Sequence, residues 1–210
     1  SITQRIGSAI WDQVTSKMDL RIDIHGNMRP CTAFCLCSLH DPKTREMNEK
    51  MGKATGLTVV YSPPTGTLEG MGGARAVGYK AVYSVSLELI AASKVTEISG
   101  DLGSRAIINV MKLWDMIEGE IEKQPEEYVW GPGWVKNAGR LKVNRGGILH
   151  FKKDPGEFIK GGETVAKIYN PYGDVVEEIT FPHDGYIRAW AAAHQAVNTG
   201  SSIAYITHDE

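Results

Sequence analysis

The chain has 210 residues, 42% of them hydrophobic, with 23 Lys and Arg against 25 Asp and Glu for a formal net charge of -2. That length can bury the core of one domain or two small ones, and the even charge balance gives no electrostatic case for a nucleic-acid or membrane-surface partner. No apolar run approaches the ~20 residues of a membrane-spanning helix, and Cys31, Cys35 and Cys37 are an odd set that does not form the disulfide framework of a secreted protein, so a cytoplasmic setting is expected.

Ile6, Ile10 and Val14 recur at four-residue intervals and predict a helix over roughly 3–17, so that Ser1 is expected to stand inside a larger fold. Leu20, Ile22 and Ile24 then alternate with Arg21 and Asp23, the period of a strand, which ends in Asp23-Ile24-His25-Gly26. Polar residues at a strand end stand at the usual mouth of an α/β site. Residues 33–39 read as a buried strand in which the cysteines are small core hydrophobes rather than metal ligands. Asp41 and Pro42 open a predicted helix over 42–56, and a short strand follows at 57–61.

Residues 62–78 hold Pro63, Pro64, Gly66, Gly70, Gly72, Gly73 and Gly78 and read as a loop, with 65–75 a candidate cover over a site. A helix is predicted over 79–92, a short strand ending in Glu97 over 94–98, and a second helix over 105–122, with Ile108, Met111, Leu113 and Ile117 toward a core. Strands alternating with helices argue for an α/β layer with a largely parallel sheet. Near Gln124 and Pro125 the character changes. Short alternating apolar runs at 147–151, 164–169, 175–181, 185–190 and 202–206 predict a small all-β domain, with the boundary at about 128.

A hydrolytic zinc site needs three protein ligands, an open position for water, and a carboxylate to take a proton from that water. His25 and Glu97 are the candidates, each expected at a strand end, with Asp23 on the same side of its strand to orient the imidazole. Glu88 competes for the role of base, and its bland reading is a solvated helix residue. His183 and His194 have no matching Cys, Asp or Glu spacing and read as surface or packing residues. Trp130, Trp134 and Trp190 are expected to fill the domain junction. A processed N-terminal nucleophile at Ser1 is a further possibility that the sequence allows.

Asp23-Ile24-His25-Gly26, after the helix that begins Ser1-Ile2-Thr3-Gln4-Arg5-Ile6, resembles the Asp-Leu-His element of the aspartoacylase and succinylglutamate desuccinylase family. Val95-Thr96-Glu97-Ile98-Ser99-Gly100 and the helix after it are similar to the family's strand with the catalytic glutamate. Residues 155–165, then Pro182-His183-Asp184-Gly185-Tyr186-Ile187 and Val197-Asn198-Thr199-Gly200, resemble a biotinyl or lipoyl-type hammerhead. A carrier would show a lysine at the tip between the two halves, whereas 169–174 contains none. The deacylase family has a C-terminal domain of this appearance.

The resemblance implies a zinc carboxypeptidase-like α/β fold, a mixed sheet with flanking helices over 1–128 lacking its N-terminal part, and a small hammerhead-like β domain over 129–210. It implies one Zn ion with His25 as a ligand, Glu97 as general base and then proton donor, and Arg29 holding a substrate carboxylate through its planar fork, with Arg75 a weaker choice. The reaction implied is hydrolysis of the amide bond of an N-acylated amino acid or similar small acylamine.

In that family the first two metal ligands lie in an H-x-x-E element. Here His25 is followed three residues later by Met28, His40 by Lys43, His150 by Lys153, His183 by Tyr186 and His194 by Val197. The remaining ligands are therefore expected on an upstream segment or a companion chain. The alternative is a metal-free binding or interaction protein that retains the deacylase scaffold. The expected partner is a small molecule, handled by a homo-oligomer, with no nucleic acid and no membrane.

Overall fold

The computed structural model of the protein describes residues 1–26, 30–63, 82–90, 96–191 and 196–209. The first part of the chain holds α1 (Ile2–Gln13), β1 (Leu20–Gly26), β2 (Phe34–Ser38), α2 (Arg45–Ala54), β3 (Val59–Ser62), β4 (Tyr83–Leu89) and α3 (Glu97–Leu113). All later regular elements except one short 3-10 turn are strands: β5 (Trp134–Lys142), β6 (Gly147–Phe151), β7 (Phe158–Ile159), β8 (Thr164–Tyr169), β9 (Val175–Thr180), β10 (Gly185–Trp190), β11 (Ala196–Val197) and β12 (Ser202–His208). Among the described residues no helix is long and apolar enough to cross a membrane.

Eight strands form one mixed sheet in the order β1-β4-β2-β3-β5-β12-β10-β7, and β11-β6-β8-β9 form a second, antiparallel sheet. β1 runs parallel to β4, and β3 runs parallel to both β2 and β5, while β2 and β4 are antiparallel. The sheet is thus mixed, as the resemblance implies, rather than largely parallel. The pairing of β3 with β5 carries the hydrogen bonding across residue 128, where the sequence suggests a boundary.

Two cores on opposite faces of the sheet follow from the alternation of each strand. Cys35, Cys37, Val59, Val85, Leu87 and Leu89 face Met51 and Ala54 of α2 and Leu102, Ala106 and Val110 of α3. The two strand cysteines are buried in this layer, and burial pushes the Cys35 thiol up to about 12, so both behave as apolar filler. On the other face, Phe34, Leu36 and Val60 pack with Trp130, Val135 and Tyr186. A third cluster, which includes Trp190, lies between the C-terminal strands.

Two predicted elements need correction. The segment expected as a helix over 79–92 is, where described, strand β4, because Val85, Leu87 and Leu89 alternate with Ser84, Ser86 and Glu88 and must line one side of a central strand. The strand expected over 94–98 is helix from Glu97 onward: the Thr96 hydroxyl accepts the Ser99 N–H and caps α3, and residues 91–95 lie outside the described residues. That helix stops at Leu113 rather than near 122, with Asp115 in the left-handed region. The chain after it folds back so that the Asn109 amide donates to the Glu122 carbonyl at 2.7 Å and accepts the Glu122 N–H at 2.9 Å.

Asn48 of α2 locks the middle of the sheet. Its buried side chain donates to the Ser38 carbonyl at the end of β2 and accepts the Ser84 N–H at the start of β4. Replacing Asn48 with alanine strands both backbone groups and is expected to cost about 1–3 kcal/mol, read as a lower urea midpoint at unchanged slope.

Candidate functional site

The face of the sheet opposite α2 and α3 carries the polar residues of β1. Arg21, Asp23 and His25 project from that face by the two-residue period, and the parallel register sets His25 directly beside Glu88 of β4. The antiparallel register then sets Glu88 beside Phe34 of β2. One row across three adjacent strands therefore reads imidazole, carboxylate, phenyl ring.

Within that row the imidazole of His25 lies between two carboxylates, with Nε2 at 3.0 Å from Asp23 Oδ2 and Nδ1 at 3.5 Å from Glu88 Oε1. Asp23 is in turn ion-paired with Arg21. The His25 side chain is 51% exposed, whereas that of Glu88 is only 14% exposed. Burial pushes the Glu88 carboxyl up from the ordinary carboxylate range; the charges of His25 and Arg188 pull it down, and Asp23 adds to the rise.

Arg188 reaches this face from β10. The chain before β2 meets β10 through a bridge between Cys31 and Ala189, with the Thr32 N–H donating to the Arg188 carbonyl at 3.2 Å and the Trp190 N–H to the Pro30 carbonyl at 3.1 Å. These contacts bring two strands that are far apart in sheet order to the same place. The pairing of β10 with β12 shifts register between Ile187 and Ala189, an irregularity at Arg188. The guanidinium lies 5.0 Å from the ring centroids of both Phe34 and Tyr205. Burial pulls its pKa down to about 10, with the Glu88 charge opposing that shift, so it stays cationic at neutral pH.

The structure separates the two glutamates that the sequence offers as a base. Glu88 stands beside His25. Glu97 is an exposed first-turn residue of α3, a position where a carboxylate favours the helix dipole, and it is not at a strand end. Arg29, Arg75, His194 and the candidate cover at 65–75 lie outside the described residues. His183 packs its ring on that of His208 at 3.6 Å. Trp130 donates to the Ala33 carbonyl at 3.0 Å and Trp134 stacks on Tyr61 at 5.0 Å, both against the first part of the sheet, while Trp190 packs on Phe151 at 3.7 Å within the C-terminal strands rather than at a junction.

A metal could take one nitrogen of His25 while a carboxylate orients the other. The described residues hold no group of three or more His, Cys, Asp or Glu side chains arranged to bind a metal, so they do not by themselves make a zinc site.

No protein-family model and no curated protein matches the sequence. Solved structures do match. A succinylglutamate desuccinylase from Silicibacter sp. TM1040 aligns with 100% of this chain at a TM-score of 0.81 and 18% identity. A succinylglutamate desuccinylase/aspartoacylase from Rhodobacter sphaeroides aligns over 100% of the chain at 0.81 and 21%. The apo ectoine utilization protein from Ruegeria pomeroyi aligns over 99% at 0.81 and 16%. This chain spans 64% of the length of each of the first two and 66% of the third. The chain described here therefore has the fold of the succinylglutamate desuccinylase and aspartoacylase proteins, the family that its Asp-Ile-His strand resembles.

Proposed function

We propose that this chain carries part of the active site of a zinc-dependent deacylase, which hydrolyses the amide bond of an N-acylated amino acid or similar small acylamine. The observation that supports this reading is the placement of His25 and Glu88 at one register on neighbouring parallel strands, on a face shared with a buried arginine. Glu88 is the general base. It takes a proton from water as the water oxygen bonds to the acyl carbon, and delivers it to the amine nitrogen as the C–N bond breaks, leaving a carboxylate and a free amine. A carboxyl raised by burial is a stronger base than an exposed one, which suits that exchange near neutral pH.

His25, oriented by Asp23, is one zinc ligand, and the others come from a segment or companion chain outside these residues. β1 is the terminal strand of the described sheet, so its open edge beside His25 is where further polypeptide adds. The three cysteines are free, which fits a reducing cytoplasm.

Hydrolysis of an N-acetylated amino acid by the full-length protein separates the two glutamates. Glu88→Gln is expected to lower kcat by about 10²- to 10⁴-fold, while Glu97→Gln stays near the parent rate. An unchanged rate in Glu88→Gln would leave the metal-free binding scaffold as the better account. For the metal, elemental analysis after dialysis is expected to find zinc in the full-length protein and little in His25→Ala; equal zinc in both would remove His25 from the ligand set.

A further inference from the structure

On the helix-covered side of the sheet, away from His25 and Glu88, α3 and the chain that follows it form a strongly acidic surface. Residues 97–127 hold eight Asp and Glu against three Lys and Arg, a net of -5 in a chain whose total is -2. Two of those three cations are turned inward. The Lys112 ammonium donates to the Glu120 carbonyl at 2.8 Å and pairs with Glu122 at 2.9 Å, and Arg105 donates to the Lys123 carbonyl at 3.0 Å. Asp115, Glu118 and Glu120 have no ion-pair partner among the described residues.

The same stretch shows aliphatic side chains to water. Met116 is 60% exposed and Ile121 48%, and Ile108 and Ile117 are exposed as well. A connecting segment normally turns its polar residues outward and its apolar ones under the chain. Here the backbone is fixed in the reverse arrangement. Bonds from Lys112 to the Glu120 carbonyl and from Asn109 to both backbone groups of Glu122 hold the chain on either side of Ile121, and Gln124 donates to the Thr55 and Leu102 carbonyls at 2.9 and 3.1 Å. Gly119, in the left-handed region, leaves room for the Lys112 stem, which passes 3.2 Å from where a Cβ would stand.

A scattered exposed isoleucine needs no explanation, but aliphatic groups gathered at one helix end and its fold-back, rimmed by one sign of charge, mark an interaction surface. The rim selects the occupant. Two copies of this surface would repel each other, and so would an anionic membrane. We propose that it docks a basic amphipathic helix of a partner protein, with the apolar stripe of that helix on Ile108, Met116, Ile117 and Ile121 and its Lys and Arg over Asp115, Glu118 and Glu120. The sheet stands between this surface and the His25 and Glu88 face, so the partner leaves that face open.

Fluorescence anisotropy of the full-length protein with a labelled leucine–lysine amphipathic helix of about 18 residues is the test. The controls are a peptide of the same composition with its leucines scattered and a leucine–glutamate helix of the same pattern. The leucine–lysine helix is expected to bind more tightly than either. Met116→Ser with Ile121→Ser, which leaves every charge in place, and Glu118→Gln with Glu120→Gln, which leaves the aliphatic groups in place, are each expected to weaken it by at least about tenfold. Ile148→Ser, at an exposed isoleucine of β6, should bind as the parent does. All these positions are exposed, so unfolding midpoints should stay near that of the parent. Equal binding of the scattered peptide, or no loss in the Met116 and Ile121 pair, reduces the effect to attraction between opposite charges and overturns the proposal. Self-association of the parent that Ile121→Ser removes would give the surface to a second copy, and peroxide oxidation of Met116 as slow as that of the buried Met51 would give it to the rest of the full-length chain; either overturns the proposal. None of these readouts involves turnover, so they stand whatever the rate of Glu88→Gln.

Discussion

The register of three strands governs everything at this site. Because β1 pairs with β4 in parallel and β4 with β2 antiparallel, His25, Glu88 and Phe34 fall in one line across the sheet. A one-residue slip of β4 would turn Glu88 into the layer now filled by Leu87 and would offer Leu87 to His25 in its place. The slip is opposed from the far side. Val85, Leu87 and Leu89 are buried against α2 and α3, and each fully buried aliphatic side chain contributes about 1.5–3 kcal/mol. The buried helical face therefore fixes which carboxylate the imidazole meets.

A second constraint comes from the other end of the sheet. Counting along the hydrogen-bonded strands, β10 is separated from β4 by β2, β3, β5 and β12, yet Arg188 acts on Glu88. The bridge between Cys31 and Ala189 returns β10 to the chain just before β2. The C-terminal strands are thus not a detached appendage. They supply the positive charge on the site face that β2, β3 and β4 do not.

Much of this was legible in the sequence, and the failures have physical causes. The β1 alternation and the polar tail of Asp23 and His25 identified both the strand and the face it presents. The cysteines were readable as core because their neighbours were apolar. Residues 79–92 suggest a helix, although Ser84 to Leu89 alternate strictly and that short run alone carries the strand signal that sets Glu88 on β4. Glu97 lies on a helix rather than at a strand end because Thr96 caps it, and a threonine whose hydroxyl accepts the N–H of a serine three residues on is a helix start. Arg188 left no trace at all. In a linear reading it is one polar residue within an apolar strand, and both the irregularity and the partner ring of Phe34 depend on contacts more than 150 residues away, such as that between Thr32 and Arg188.

The same geometry gives Glu88 and Asp23 different surroundings. Both carboxylates touch His25, but Asp23 is also tied to Arg21 on its own strand and is the more exposed of the two, with 29% of its side chain open against 14% for Glu88. Asp23 has a counter-charge on its own strand and lies 3.0 Å from the imidazole. Glu88 has neither an adjacent cation on its own strand nor much solvent. Its proton affinity is set by burial, opposed by an imidazole from β1 and a guanidinium from β10 that approach from different parts of the fold. Two carboxylates on neighbouring strands thereby stand in different surroundings, and the difference exists only while both ends of the sheet are held against the same face.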